Sequence, residues 1–178
     1  MGQSAYIYRV SKENFELLRK STRRQDLRLS ELAIEHWEFQ GSFMGIEFIL
    51  AKNQSEENKR ILYDIFYPSN ALGSEELENM EDDEKYSFYE SGNYIPYLDS
   101  LRIEEINKII QNVTAEDLTK MYSSKELNDN GIYPDCWHDD NSENQVFNLR
   151  QIIEDITEIK KIFKAATENQ NYLLSFVS

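Results

Sequence analysis

The chain has little of several residues that chemistry commonly relies on. One cysteine, Cys136, excludes an internal disulfide and suits a reducing compartment, so the expected location is the cytoplasm. Two histidines, His36 and His138, leave few imidazoles for a metal centre. Six glycines, none in a Gly-x-Gly-x-x-Gly, phosphate-loop or Gly-x-Ser-x-Gly pattern, argue against a nucleotide cradle or a nucleophile elbow. No apolar run approaches the roughly 20 residues of a membrane helix. The first residues, Met1-Gly2-Gln3-Ser4-Ala5-Tyr6, do not read as a signal peptide. No metal and no cofactor are expected.

Basic residues are also scarce. Nineteen Lys and Arg stand against 33 Asp and Glu, a net charge of −14. That balance excludes a phosphate-backbone binder, because nucleic-acid affinity depends on counterion release by Lys and Arg. It excludes an anionic membrane surface for the same electrostatic reason. It leaves a basic protein partner open. Residues 1–60 hold ten basic and nine acidic side chains, so the negative excess lies in residues 61–178.

What remains is a globular composition. Hydrophobic residues at 40% and aromatics at 12% supply a core, and 178 residues make one domain over 1–178. Residues 5–10 are aromatic and β-branched and read as a strand. Ser11 is expected to cap a helix over residues 12–20, with Phe15, Leu17 and Leu18 inward. Arg19, Lys20, Arg23, Arg24 and Arg28 read as a solvated helix end and loop. Ser30 is expected to cap a helix over 31–37 whose buried stripe is Leu32, Ile34 and Trp37. In the apolar run at 43–50, periodicity does not separate helix from strand.

Ser55 opens a helix containing Ile61, Leu62, Ile65 and Phe66, ended by turn residues at 67–73. Seven acidic side chains in residues 75–84 read as a solvated loop or flexible insertion, and their spacing is not that of an EF-hand. Residues 94–98 suggest a short strand that Pro96 confines to an edge or a strand start. A helix over 102–112 turns Ile103, Ile106, Ile109 and Ile110 inward. Thr114 to Asp117 resembles a capping box, and Asn130-Gly131 closes a short turn after residue 124. Ser142-Glu143-Asn144-Gln145 fits the capping-box pattern, and the helix it starts should run to about 169, about 40 Å. Residues 172–177 read as a strand whose natural neighbour is the strand at 5–10.

Three stretches together resemble a known family. Residues 1–11, residues 127–137 with Ile132-Tyr133-Pro134 and Trp137, and the closing Leu173-Leu174-Ser175-Phe176-Val177-Ser178 are similar to the YfbM-like family of small bacterial proteins of unknown function. Trp37 followed by Ile46-Glu47-Phe48-Ile49-Leu50 resembles a further family segment, with a longer gap here. The resemblance implies a one-domain α/β fold with helices packed around a mixed sheet in three α/β/α layers, and a helix at 43–51. It brings no catalytic residues with it.

Rare residues gather at 130–140. Asp135, Cys136, His138, Asp139 and Asp140 combine carboxylate, thiol and imidazole, but no second ligand pair stands at a zinc spacing, so no metal is assigned. His36-Trp37 and Trp137-His138 use every His and Trp in the chain. Tyr133, Trp137 and Trp37 are therefore candidates to line one cleft with His36 or His138 at its rim. The competing reading, that these aromatics are core and loop-locking residues, carries more weight. Two functional classes follow. The first is a non-catalytic binding or interaction protein, in its concrete form an immunity-type protein covering a basic partner. The second is a small-molecule enzyme with its pocket at 133–138, His138 as acid or base and Cys136 as nucleophile. The sequence names no small-molecule ligand.

Overall fold

The computed structural model describes residues 2–178. The chain opens with β1 (Ser4–Val10), α1 (Lys12–Lys20), α2 (Leu29–Leu32) and β2 (Ala33–Gln40). It continues with α3 (Phe43–Ala51), α4 (Glu56–Tyr63), β3 (Asn70–Leu72), α5 (Ser74–Leu77) and α6 (Asp82–Glu90). Then come β4 (Ile95–Leu98), α7 (Ser100–Ile110), α8 (Ala115–Met121), α9 (Ser124–Asp129), α10 (Leu149–Asn169) and β5 (Tyr172–Val177).

The strands form one sheet in the order β2-β1-β5-β4-β3. The terminal strands are neighbours, as expected, with Tyr6 opposite Phe176 and Tyr8 opposite Leu174. The sheet, expected to be mixed, is antiparallel at all four pairings. β4 lies inside the sheet rather than at its edge. Pro96 is tolerated there because the β4–β5 ladder begins only at Tyr97 and Leu98, one residue after the ring that has no N–H to donate.

Alternation along the strands divides the apolar residues between the two sheet faces. Ala5, Ile7, Phe39, Leu98 and Leu173 join the larger core, together with buried side chains of α3, α4, α7, α8, α9 and α10. Val10, Leu72, Ile95 and Leu174 join a smaller one under Phe15 and Leu18 of α1. Helices therefore cover both faces, unequally. α10 contributes most to the larger layer through Ile152, Ile156, Ile159, Ile162 and Phe163. Each of these buried side chains stabilises by about 1.5–3 kcal/mol, more than any exposed ion pair on the surface.

Several expectations give way to the structure. Residues 33–40 are a strand, not the end of a 31–37 helix, and only Leu29–Leu32 is helical. Pairing with the free side of β1 decides this: Ile7 faces Trp37 and Ala5 faces Phe39. Ile34, expected inside, is exposed on the other face. The run at 43–51 is a helix. Residues 75–84, expected as a solvated loop or flexible insertion, lie in α5, a short turn and the start of α6, the latter begun by a capping box between Glu81 and Glu84. α10 starts at Leu149 rather than near 143, because Asn148 is its cap and accepts from the Gln151 N–H. Its 21 residues give about 31 Å. Arg24, expected in a solvated loop, is buried and donates to the carbonyls of Leu18 and Asn93 and to Glu76.

Candidate functional site

Residues 130–148 form a long connection from α9 to α10, and its polar groups mainly hold the connection in place. Trp137 anchors it. The indole is 3% exposed, and its Nε1–H donates to the Ile132 carbonyl at 2.8 Å. Asn128 clasps the same residue from both sides: its Nδ2 donates to the Trp137 carbonyl, and its Oδ1 accepts from the Trp137 N–H. The indole lies over Gly45 of α3, where a Cβ would stand 2.2 Å from Cη2. Only glycine lets helix and ring approach this closely.

The far end of the connection is fixed by Asn148, which is fully buried. Its amide donates to the carbonyls of Asp140 and Gln145 while its oxygen caps α10. Between the two anchors, the Tyr122 hydroxyl donates to the His138 carbonyl at 2.5 Å. Burial, and secondarily the Asp139 charge, pushes the Tyr122 hydroxyl up to about 12, so it remains a donor at neutral pH.

The sequence-derived site residues do not all meet. Tyr133 packs near Gly41, and its hydroxyl accepts from the Gln3 N–H. Trp137 and Phe147 meet edge to face at 5.9 Å. Trp37 packs, half-buried, against the larger core. His36 alternates to the opposite sheet face, where it stacks on Tyr8 at 5.3 Å. His138 is half-buried, and Cys136, Asp139 and Asp140 are exposed. Among the described residues, no group of three or more His, Cys, Asp or Glu side chains is placed to hold a metal ion.

One half-buried carboxylate lies beside this aromatic group. The Ser42 hydroxyl, at the turn between β2 and α3, donates to Asp155 of α10 at 2.6 Å. Burial pushes the Asp155 carboxyl up to about 6, and the hydroxyl bond opposes only part of that rise.

A separate cleft of about 610 Å³ lies between α3, α4 and the start of α7, within the usual range for small-ligand sites. Three acids, Glu47, Glu56 and Asp64, and three bases, Lys59, Arg60 and Arg102, line it together with Ala51, Leu62, Tyr63 and Ser69. Asp64 is 4% exposed and doubly held, by the Ser69 hydroxyl at 2.8 Å and by Arg102 Nε at 2.9 Å. Sequence reasoning missed this site because its parts, 47–69 and 102, are joined only by the packing of α3, α4 and α7. The one local signal is Glu47, the single charge in the apolar α3.

A third region combines charge and aromatic surface. On α5 and α6, Glu76 pairs with Arg24 and Asp82 with Lys85. The other five acids of residues 75–84, Glu75, Glu78, Glu81, Asp83 and Glu84, meet no Lys or Arg among the described residues, and all are exposed. Beside them Tyr86 is 67% and Tyr89 51% exposed.

The fold has a solved counterpart. The chain superposes on the crystal structure of YfbM from Escherichia coli, a protein of unknown function, with a TM-score of 0.62 at 17% identity, over 98% of this chain and 99% of that one. At that identity the likeness concerns the fold alone. No curated protein matches the sequence. Residues 1–176 match the family described as Domain of unknown function (DUF1877), and the chain belongs to that family.

Proposed function

We propose that the chain is a non-catalytic binding protein that captures a basic protein partner on α5 and α6. The observation that carries this reading is the five exposed acids without basic partners, held on α5, α6 and the turn between them beside Tyr86 and Tyr89. Ordered carboxylates lose little conformational freedom on binding, whereas a flexible acidic loop would have to be fixed first. Tyrosine supplies amphipathic contact area, and uncompensated charge steers an oppositely charged partner. The specific form of the reading is immunity-type: the acidic face covers a cationic toxin or nuclease in the cytoplasm.

The test uses the full chain and a lysine- and arginine-rich peptide as probe, followed by fluorescence anisotropy. Binding is expected at about 20 mM salt and should weaken at least about tenfold by about 200 mM, as the Debye length shortens. Replacing the five acids by their amides should weaken it by a further tenfold or about that. Absence of binding at low salt, or binding indifferent to those five replacements, overturns the reading.

A further inference from the structure

We propose that the cleft between α3, α4 and α7 is a ligand site for a small zwitterion of the amino-acid class, with its ammonium group at Glu47 and its carboxylate at Arg60. The argument rests on which charges in the cleft are already committed. Lys59 pairs with Glu56 at 2.7 Å, and Arg102 pairs with both Asp64 and Glu105 at 2.9 Å. That leaves Glu47 and Arg60, which make no ion pair with any described residue, including each other.

Glu47 is half-buried on an otherwise apolar helix, and burial alone pushes its carboxyl up. A desolvated carboxylate without a cation is unfavourable, and a ligand ammonium supplies the missing partner. Arg60 is exposed in the same lining, and a guanidinium matches a carboxylate through two parallel N–H donors. Ala51, Leu62 and Tyr63 give the cleft an apolar wall for a side chain. Tyr63 is 48% exposed and stacks on Tyr67 at 4.7 Å, which fixes the orientation of its ring. In a molecule of net charge −14, equal numbers of acids and bases around one cleft fit a ligand of no net charge rather than a plain cation.

The experiment follows backbone amide shifts of isotope-labelled full chain while each common L-amino acid is added to about 5 mM, a range that detects millimolar affinity. At least one is expected to produce saturable shifts at residues 47, 51, 60, 63 and 64. Its N-acetyl form, without the ammonium, and its methyl ester, without the carboxylate, should each bind at least about tenfold more weakly. Glu47→Gln and Arg60→Gln, with folding checked by thermal melting, should each weaken the parent ligand similarly. No saturable shift with any amino acid, or equal binding of the blocked forms, overturns the proposal. None of these residues belongs to α5 or α6, so the outcome is independent of capture of a basic partner.

Discussion

The connection at 130–148 and the cleft between α3, α4 and α7 differ in how far their polar groups are already satisfied. The connection holds the rare residues, Cys136, Trp137 and His138, yet Trp137, Asn128 and Asn148 all direct their polar atoms at backbone. The cleft is lined by common residues, but Glu47 and Arg60 are left without ion-pair partners among the described residues. Rarity in sequence and availability for binding are therefore different properties. Groups tied into the fold should matter for stability, and uncommitted groups should matter for ligands.

Mutations can break that contrast. The largest effect is expected at the Trp137–Gly45 contact. Trp137→Ala should cost about 3–5 kcal/mol in denaturant unfolding, and Gly45→Ala about 1–3 kcal/mol, since its Cβ would collide with the ring. A cost below about 1 kcal/mol for Trp137→Ala would remove its role as anchor.

Asp155 comes next, through pH. Its folded-state carboxyl, raised to about 6, holds a proton more tightly than in the unfolded chain, where the ordinary value is 3.8. Its favourable contribution is thus complete below about pH 4 and is lost as pH rises through about 6. Asp155→Asn, still able to accept from Ser42, should match the native chain near pH 4 and exceed its stability by about 2–3 kcal/mol at pH 7.5. Parallel stability–pH curves for the two proteins would rule this out.

Asn148→Ala removes the α10 cap, leaves the Asp140 carbonyl without its donor and the Gln145 carbonyl with that of Arg150 alone, an expected loss of about 1–2 kcal/mol. In the cleft, Glu47→Gln should leave stability at neutral pH unchanged or raise it, because burial disfavours the unpaired carboxylate. A large loss there would show that Glu47 supports the fold, and the contrast between the two regions would fail.

Much of the fold is legible in the sequence where the signal is local. Ser11, Ser55 and the Thr114–Asp117 box cap the helices they were expected to cap. Strand composition identified β1 and β5, and the three-four spacing of isoleucines identified the body of α10. The 33–40 strand was obscured because Glu35 occupies an inward position of its alternation, made tolerable by Arg9 at 2.5 Å. Without that distant partner, Leu32, Ile34 and Trp37 imitate a helical stripe. α5 and α6 were obscured by their acidity, although Leu77 supplies a buried anchor. Of the site, the sequence shows the aromatics around Trp137 but neither the glycine beneath it nor the cleft, because both depend on contacts between distant segments.

The most direct measurement asks whether position, rather than total charge, creates the face for a basic partner. Two variants of equal charge are compared in salt-dependent binding of the lysine- and arginine-rich peptide. One carries amides at Glu75, Glu78, Glu81, Asp83 and Glu84. The other carries them at Glu13, Glu57, Asp135, Asp139 and Glu143, exposed and outside α5 and α6. The expected result is a loss of at least about tenfold for the first and no more than about threefold for the second. Equal losses would show that the peptide responds only to net charge, and that α5 and α6 form no binding face.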